Sequence, residues 1–380
     1  MITRICSFFF QIYFHNANLS NILLGNNPTT VNRLIISVNL ISIALCGLMY
    51  SSVSAQTTIN SSIRALHVVD SNTVVFSGYG GLVGYTNDGG ISWDTTRWGS
   101  RSYRACSVVN EFLIAASIES PGVVIKAPLQ SLEDTIVVFE ESHKGVFFDS
   151  MKFSDSKNGI LMGDATPDIL GETCLSIYTT DDSGDNWQRI MCSNLPELIE
   201  GEAAFAASNG NISCIGNDAW IATGGKVSRI LHSSDKGATW NAYPTPLVQG
   251  GKMTGAFCVD FKNAQEGLII GGDWENKSLN SGNLAHTSDG GKSWYLRSEG
   301  EGPGYRSCVV FNPVNTNECV AVGSEGIDYS MDSGLNWQHV SDESFYTGRY
   351  SPDGKYLWIA GHKSIMRMNV IKLLSVVKND

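Results

Sequence analysis

Basic residues are few in this 380-residue sequence: 26 Lys and Arg stand against 37 Asp and Glu, a formal net charge of −11. No basic run occurs that would neutralise successive phosphates, which excludes a general nucleic-acid binder. Charge of either sign is sparse, at 17% of residues. No two cysteines are spaced Cys-x-x-Cys and no His/Cys pair has zinc spacing, so neither a metal nor another cofactor is expected. Long apolar runs are missing too, with one exception between Leu34 and Met49.

That exception has the parts of an export signal. Arg33 precedes it, and the small residues Val53-Ser54-Ala55 end it before Gln56. Ser37, Asn39 and Ser42 inside the run favour cleavage over a permanent membrane anchor. The reading is a leader extension over 1–32, with translation starting at Val31, a signal peptide over 33–55, and one domain over 56–380. The mature chain is expected to be periplasmic or secreted, without stable membrane insertion. Seven cysteines remain after cleavage, an odd number in a compartment that permits disulfides.

What the sequence does have is glycine, 39 of them, and hydrophobic residues, 42%. That composition suits short strands and tight turns. One motif recurs five times: Thr86 to Trp93 reads TNDGGISW, Thr180 to Trp187 reads TDDSGDNW, Ser233 to Trp240 reads SSDKGATW, Thr287 to Trp294 reads TSDGGKSW and Ser330 to Trp337 reads SMDSGLNW. Physically this is a tight hairpin turn. The Asp accepts backbone N–H groups, the Gly supplies positive φ, and the Trp covers the turn. Asp88, Asp182, Asp235, Asp289 and Asp332 are therefore assigned to the fold and not to chemistry. They are separated by 94, 53, 54 and 43 residues, so the first gap holds a unit that has lost its motif. Residues 103–142 fit that unit, with Asp134 near the expected turn.

A second repeat counts the units independently. Strand starts are read at Ile63, Tyr103, Phe148, Gly201, Thr254, Tyr305 and Phe345, each followed by a strand ending in small residues such as GILMGD or WIATGG. Seven starts imply an all-β, seven-bladed β-propeller. The last unit lacks a turn motif, and either 371–378 or 56–61 must supply its outer strand. About the turn centred on Ser183, Cys174 and Cys192 lie symmetrically and are expected to form a disulfide. Cys308 and Cys319 flank the Pro313 turn and are a second candidate pair.

The five turns resemble the Asp box, or BNR repeat, of sialidase-like propellers. Phrases such as FSDSKNGILMGD (153–164) and GYRSCVVFNP (304–313) further resemble bacterial photosystem II stability- and assembly-factor-like propellers. That resemblance covers roughly residues 60–368. It implies an exported propeller that binds a partner, and relatives often carry an oxidoreductase label. The cluster Gly78, Gly80, Gly81 and Gly84 misses the dinucleotide spacing and lends that label no support.

In a propeller, the starts of the inner strands and the loops after the second strands share one face. Arg64, Arg104, Asp149, Glu202 and Arg306 are therefore expected around a funnel mouth, with Tyr103 and Tyr305 beside two of the arginines. The loops add Asp164, Asp273, Trp274 and His362. Arginines grip carboxylates or sulfates, and aromatic faces suit sugar rings. Such charges can equally just pair with one another. The expected ligand set is Arg64, Arg104, Arg306, Tyr103, Asp164, Asp273, Trp274 and His362, for an anionic glycan or a protein partner. An alternative is a hydrolase or lyase on an anionic polysaccharide, with Glu202, Asp149 and Tyr305 moving protons. A second alternative, an oxidoreductase, rests on the family label alone. Oligomeric state is not legible.

Overall fold

A computed structural model describes residues 54–371. The leader extension and signal peptide lie outside the described residues, apart from Ser54 and Ala55, whose backbone pairs with Met368 and Arg367. Short antiparallel strands supply nearly all the regular structure described. They form four sheets of four strands, one of six and one of seven. A plain example is the meander Tyr103–Val109, Phe112–Ser117, Gly122–Pro128 and Ile136–Glu141. This is the unit without a turn motif, and its loop holds Asp134, which accepts a 2.6 Å hydrogen bond from the Ser131 hydroxyl.

The seven-stranded sheet arises because the strand Ser54–Val68 is shared. Its first part pairs with His362–Asn369, from Ser54 opposite Met368 to Thr58 opposite Ser364. Its second part pairs with Val74–Gly78. The N-terminal segment therefore supplies the outer strand of the last unit. First strands also pack side by side: Ser54–Val68 against Tyr103–Val109, then Phe148–Phe153, Ile212–Ile215, Thr254–Phe261, Cys308–Phe311 and Thr347–Tyr350, which returns to Ser54–Val68.

Each repeated turn joins a third to a fourth strand and is built the same way, except that the Trp93 indole of the first turn lacks the bond the other four make. In Ser233–Trp240 the Ser233 hydroxyl donates to Asp235 at 2.7 Å and accepts from the Gly237 N–H. Asp235 accepts the Thr239 N–H and hydroxyl, and the Trp240 indole donates to the Gly237 carbonyl at 2.8 Å. Gly237 has φ +91°, and a Cβ there would press on Ile160 and Thr179 of the preceding unit. Only glycine fits both the dihedral and the gap. The turns thus wedge against the neighbouring sheet. Similarly, Gly90 of the first turn abuts Trp358, near the end of the chain.

The structure corrects two sequence expectations here. Gly201–Ala204 does not open an inner strand. Glu202–Ala203 instead pairs with Gly224–Gly225, which extends the neighbouring sheet of Thr254–Phe261 inward, and the first strand of that unit is Ile212–Ile215. Residues 204–211, all buried, leave the sheets altogether. Cys308 and Cys319 do not face each other: register sets Cys308 opposite Val322 and Cys319 opposite Phe311, and both are free thiols. Cys174 and Cys192 are joined, with Cα atoms 5.5 Å apart. The register about that turn, Tyr178 opposite Arg189, is one residue off symmetric. A single helical turn at Cys192–Asn194 brings the second cysteine back into reach.

Candidate functional site

The segment 204–211 crosses the place where the first strands converge. Most of its side chains are small, Ala204, Ala206, Ala207 and Ser208, while Phe205 stacks on Phe257 with ring centroids 4.2 Å apart. Its polar backbone groups are satisfied from several sheets, as burial demands. The Ala207 carbonyl accepts from Arg64 at 3.1 Å, and the Ser208 carbonyl from Thr347 at 2.8 Å and Arg349 at 3.1 Å. The Ser208 hydroxyl donates to the Ser307 carbonyl at 2.8 Å. Asn209, at φ +52°, donates to the Cys106 carbonyl and accepts from the Ser150 hydroxyl and the Met151 N–H. Gly210 accepts from the Val259 N–H. Sequence reading took this stretch for an ordinary strand and so missed it.

Over one side of the segment lie Arg64, Arg104, Asp149 and Asp164, drawn from three sheets and within electrostatic reach of one another. Arg64 lies over the ring of Tyr346, 4.1 Å from its centroid. Burial lowers the pKa of both arginines; Tyr346 and Tyr305 favour the charge on Arg64, while Arg104 is repelled by Arg64 and favoured by Asp149 and Glu119. Asp149 is buried, with its Oδ2 lacking any hydrogen-bond partner. Burial first, and then the charge of Asp164, pushes its carboxyl well above the usual range, while Arg104 pulls it down. Burial raises Asp164 to about 6. Among the described arginines, Arg104 is the one that makes no hydrogen bond to protein. Tyr305, stacked edge-on against Phe257, lies within electrostatic reach of Arg64.

The remaining expected residues are elsewhere or engaged. Glu202 has both carboxylate oxygens bound by Arg229, with Thr223 donating to Oε1 at 2.7 Å. Arg306 is 4% exposed; its Nε donates to Asp328 at 2.8 Å and its Nη1 to the Tyr305 carbonyl. Neither group is free to meet a ligand. Tyr103 is fully buried, with its hydroxyl on the Trp98 carbonyl at 3.0 Å, so it belongs to the core. Asp273 accepts the N–H groups of Glu275 and Asn276 and shapes its own loop. Trp274 is exposed, with the Lys277 amine 5.6 Å from its ring centroid. His362 is exposed at the start of the last strand. Tyr346, under Arg64, and Glu119, within electrostatic reach of Arg104, were passed over by sequence reading and complete the surroundings of the two arginines.

No family model and no curated protein matches this chain. Solved structures do resemble it. YCF48 bound to D1 peptide is 16% identical, with TM-score 0.59 over 84% of this chain and 97% of that one. The WD40 β-propeller domain of Doa1 is 12% identical, with TM-score 0.58 over 83% and 95%. The GH74 xyloglucanase from Xanthomonas campestris is 11% identical, with TM-score 0.54 over 78% of this chain and 50% of that one. At such identities the likeness establishes the fold alone: an all-β chain of the propeller kind.

Proposed function

We propose that this chain is an exported, seven-bladed propeller of the Asp-box type whose axial mouth binds an anionic ligand. The blade count is supported by the succession of first strands that returns to its start, and by turns wedged between neighbours from Gly90 to Gly334. The Asp-box reading rests on the shared turn chemistry. Export is supported by the Cys174–Cys192 disulfide. No helix among the described residues is long and apolar enough to cross a membrane.

One observation carries the binding proposal. Arg104 is half-buried, stripped of hydrogen-bond acceptors among the described residues, and set beside Arg64. A half-buried guanidinium with no protein acceptor keeps its donors open to whatever enters from solvent, and a carboxylate or sulfate meets them with charge-assisted hydrogen bonds. The exposed Tyr79, Ile169, Leu170 and Trp274 lie in the loops that follow second strands and offer apolar contact beyond the charges. A protein partner presenting an acidic group is favoured over a glycan, in keeping with the peptide bound to YCF48. The test is calorimetry of acidic peptides and acidic glycans against wild type and Arg104→Ala. Loss of one charge-assisted contact of ~1.5–3 kcal/mol weakens binding roughly ten- to a hundred-fold. The unfolding temperature should stay unchanged. Failure of every acidic ligand to bind wild type, or loss of stability instead of affinity, overturns the reading.

A second reading keeps the same place but adds proton transfer. Asp149 and Asp164 form a carboxyl pair in which one member holds a proton near neutrality, as a general acid requires. With Tyr305 it would act as a hydrolase or lyase on an anionic polysaccharide. Product release from uronic or sulfated glycans, abolished by Asp149→Asn, selects it over binding alone. The oxidoreductase alternative gains nothing from the geometry.

A further inference from the structure

Beneath the crossing segment, on the side away from Arg104, two cysteines from neighbouring first strands meet. Cys258 lies in Thr254–Phe261 and Cys308 opens Cys308–Phe311. Both are buried, at 1% and 0% exposure, and lie within electrostatic reach of each other; the Cys258 thiol donates to the Val309 carbonyl at 3.4 Å, beside Cys308, and the Cys308 thiol to the Gly348 carbonyl at 3.6 Å. Donors converge on the two sulfurs. The Val309 N–H points at Cys258 Sγ at 3.3 Å, and Arg349 Nη1 lies 3.3 Å from Cys308 Sγ. Gly210 leaves room for the pair, since a Cβ there would sit 2.7 Å from Cys258 Sγ. The same Arg349 holds the Ser208 and Asn209 carbonyls through its other nitrogen.

We infer that Cys258 and Cys308 form a redox-active dithiol that closes to a disulfide linking two adjacent sheets at the centre of the molecule. A metal ion is the wrong occupant: the guanidinium beside Cys308 repels a cation, and the described residues hold no group of three or more His, Cys, Asp or Glu suited to one. A guanidinium is instead what a thiolate nucleophile needs. The neighbouring Cys258 side chain, with the charge and hydrogen bond of Arg349 added, holds the Cys308 thiol below its usual range, while burial pushes Cys258 up. Cys308 is therefore the attacking sulfur. Its thiolate attacks one sulfur of a disulfide donor, a small-molecule or protein disulfide, and releases that donor's first thiol. The Cys258 sulfur, having lost its proton, then displaces the second thiol from Cys308. Two thiols become one disulfide, the donor's disulfide becomes two thiols, and the sulfur oxidation balances. Cys106, Cys214 and Cys319 are left as free thiols.

The test uses the full chain in two arms, because burial can slow a reagent in the folded state. In one arm, folded protein is incubated with a glutathione disulfide/glutathione buffer. In the other, reduced and denatured chain is refolded in the same buffer, where access sets no limit. Free thiols are then alkylated and the disulfides mapped by non-reducing mass spectrometry. The expected result is a Cys258–Cys308 peptide in the refolded arm, alongside Cys174–Cys192. Its unfolding temperature should rise relative to the reduced protein, a rise missing in Cys308→Ser. In Arg349→Gln, crosslinking of the folded protein should slow several-fold. Alkylation of both Cys258 and Cys308 in the two wild-type arms, or pairing of either with Cys106, Cys214 or Cys319, overturns the inference whatever the variants do.

Discussion

Replacing Arg306 with Ala separates the two fates that identical-looking arginines meet in this fold. Arg306 and Asp328 are 4% and 5% exposed, and the guanidinium also caps the Tyr305 carbonyl. Truncation strands a buried carboxylate, a loss of about 3–5 kcal/mol. Unfolding entropy of about 2 cal/mol/K per residue means a domain of roughly 320 residues shifts by about 1.5 °C per kcal/mol, so a fall of about 4–8 °C is expected. His339 modulates this. Its Nδ1 lies 3.0 Å from the other Asp328 oxygen, and that hydrogen bond raises its pKa. A histidine held above its usual value contributes stability that is complete below about pH 6.5 and fades as pH rises through the raised value. In the variant, His339 is the last positive partner of Asp328, so the fall should be larger at about pH 8 than at about pH 5.5. Scanning calorimetry at both pH values, with acidic-ligand titration in parallel, reads the outcome. A melting temperature within about 1 °C of wild type, paired with lost ligand affinity, would mean that Arg306 faces ligand and that the buried pairing is wrong.

Three further perturbations probe the scaffold and the mouth. Trp240→Ala removes a buried indole from a repeated turn and should cost about 3–5 kcal/mol, checked by denaturant unfolding; an unchanged midpoint would make the turns peripheral. Asn209→Ala strands the Cys106 carbonyl, the Ser150 hydroxyl and the Met151 N–H, with an expected loss of at least about 2 kcal/mol in the same assay. A carboxyl whose pKa is raised by folding binds its proton more tightly in the folded state, so stability should fall as pH rises from about 4 through about 6. Asp149→Asn should flatten that limb, and an unaltered limb would show that Asp149 and Asp164 do not sense each other.

The repeated turns were legible because their chemistry is local: a hydroxyl, a carboxylate, a glycine and an indole within eight residues contact one another before any distant strand matters. The disulfide was legible for the same reason, within one residue of register. The mouth was half legible. Tyr103-Arg104 and Tyr305-Arg306 read alike, yet what decides their fates lies on the third strand of each unit. Gly326-Ile327-Asp328 sets a carboxylate against Arg306, whereas Gly122-Val123-Val124 offers Arg104 nothing. That difference is present in the sequence and would have been found by aligning third strands as well as first ones. Glu202 was misread because its partner, Arg229, sits on another strand, 27 residues on. The crossing segment was illegible: alanines suit a crowded strand and a narrow passage equally, and only the assembled sheets tell them apart.

The crossing segment also bears on how such a chain can evolve. Proteins built from repeats gain and lose copies by duplication and deletion, and an open array tolerates either. Here Arg64, Ser150, Val259, Thr347 and Arg349 reach one short stretch of chain from three sheets. Adding or deleting a unit would change the central spacing and pull those donors off their acceptors together. On the seven-bladed reading proposed above, residues 204–211 act as an internal gauge of copy number. On that reading they hold the molecule to one size and leave its outer loops as the place where change is cheap.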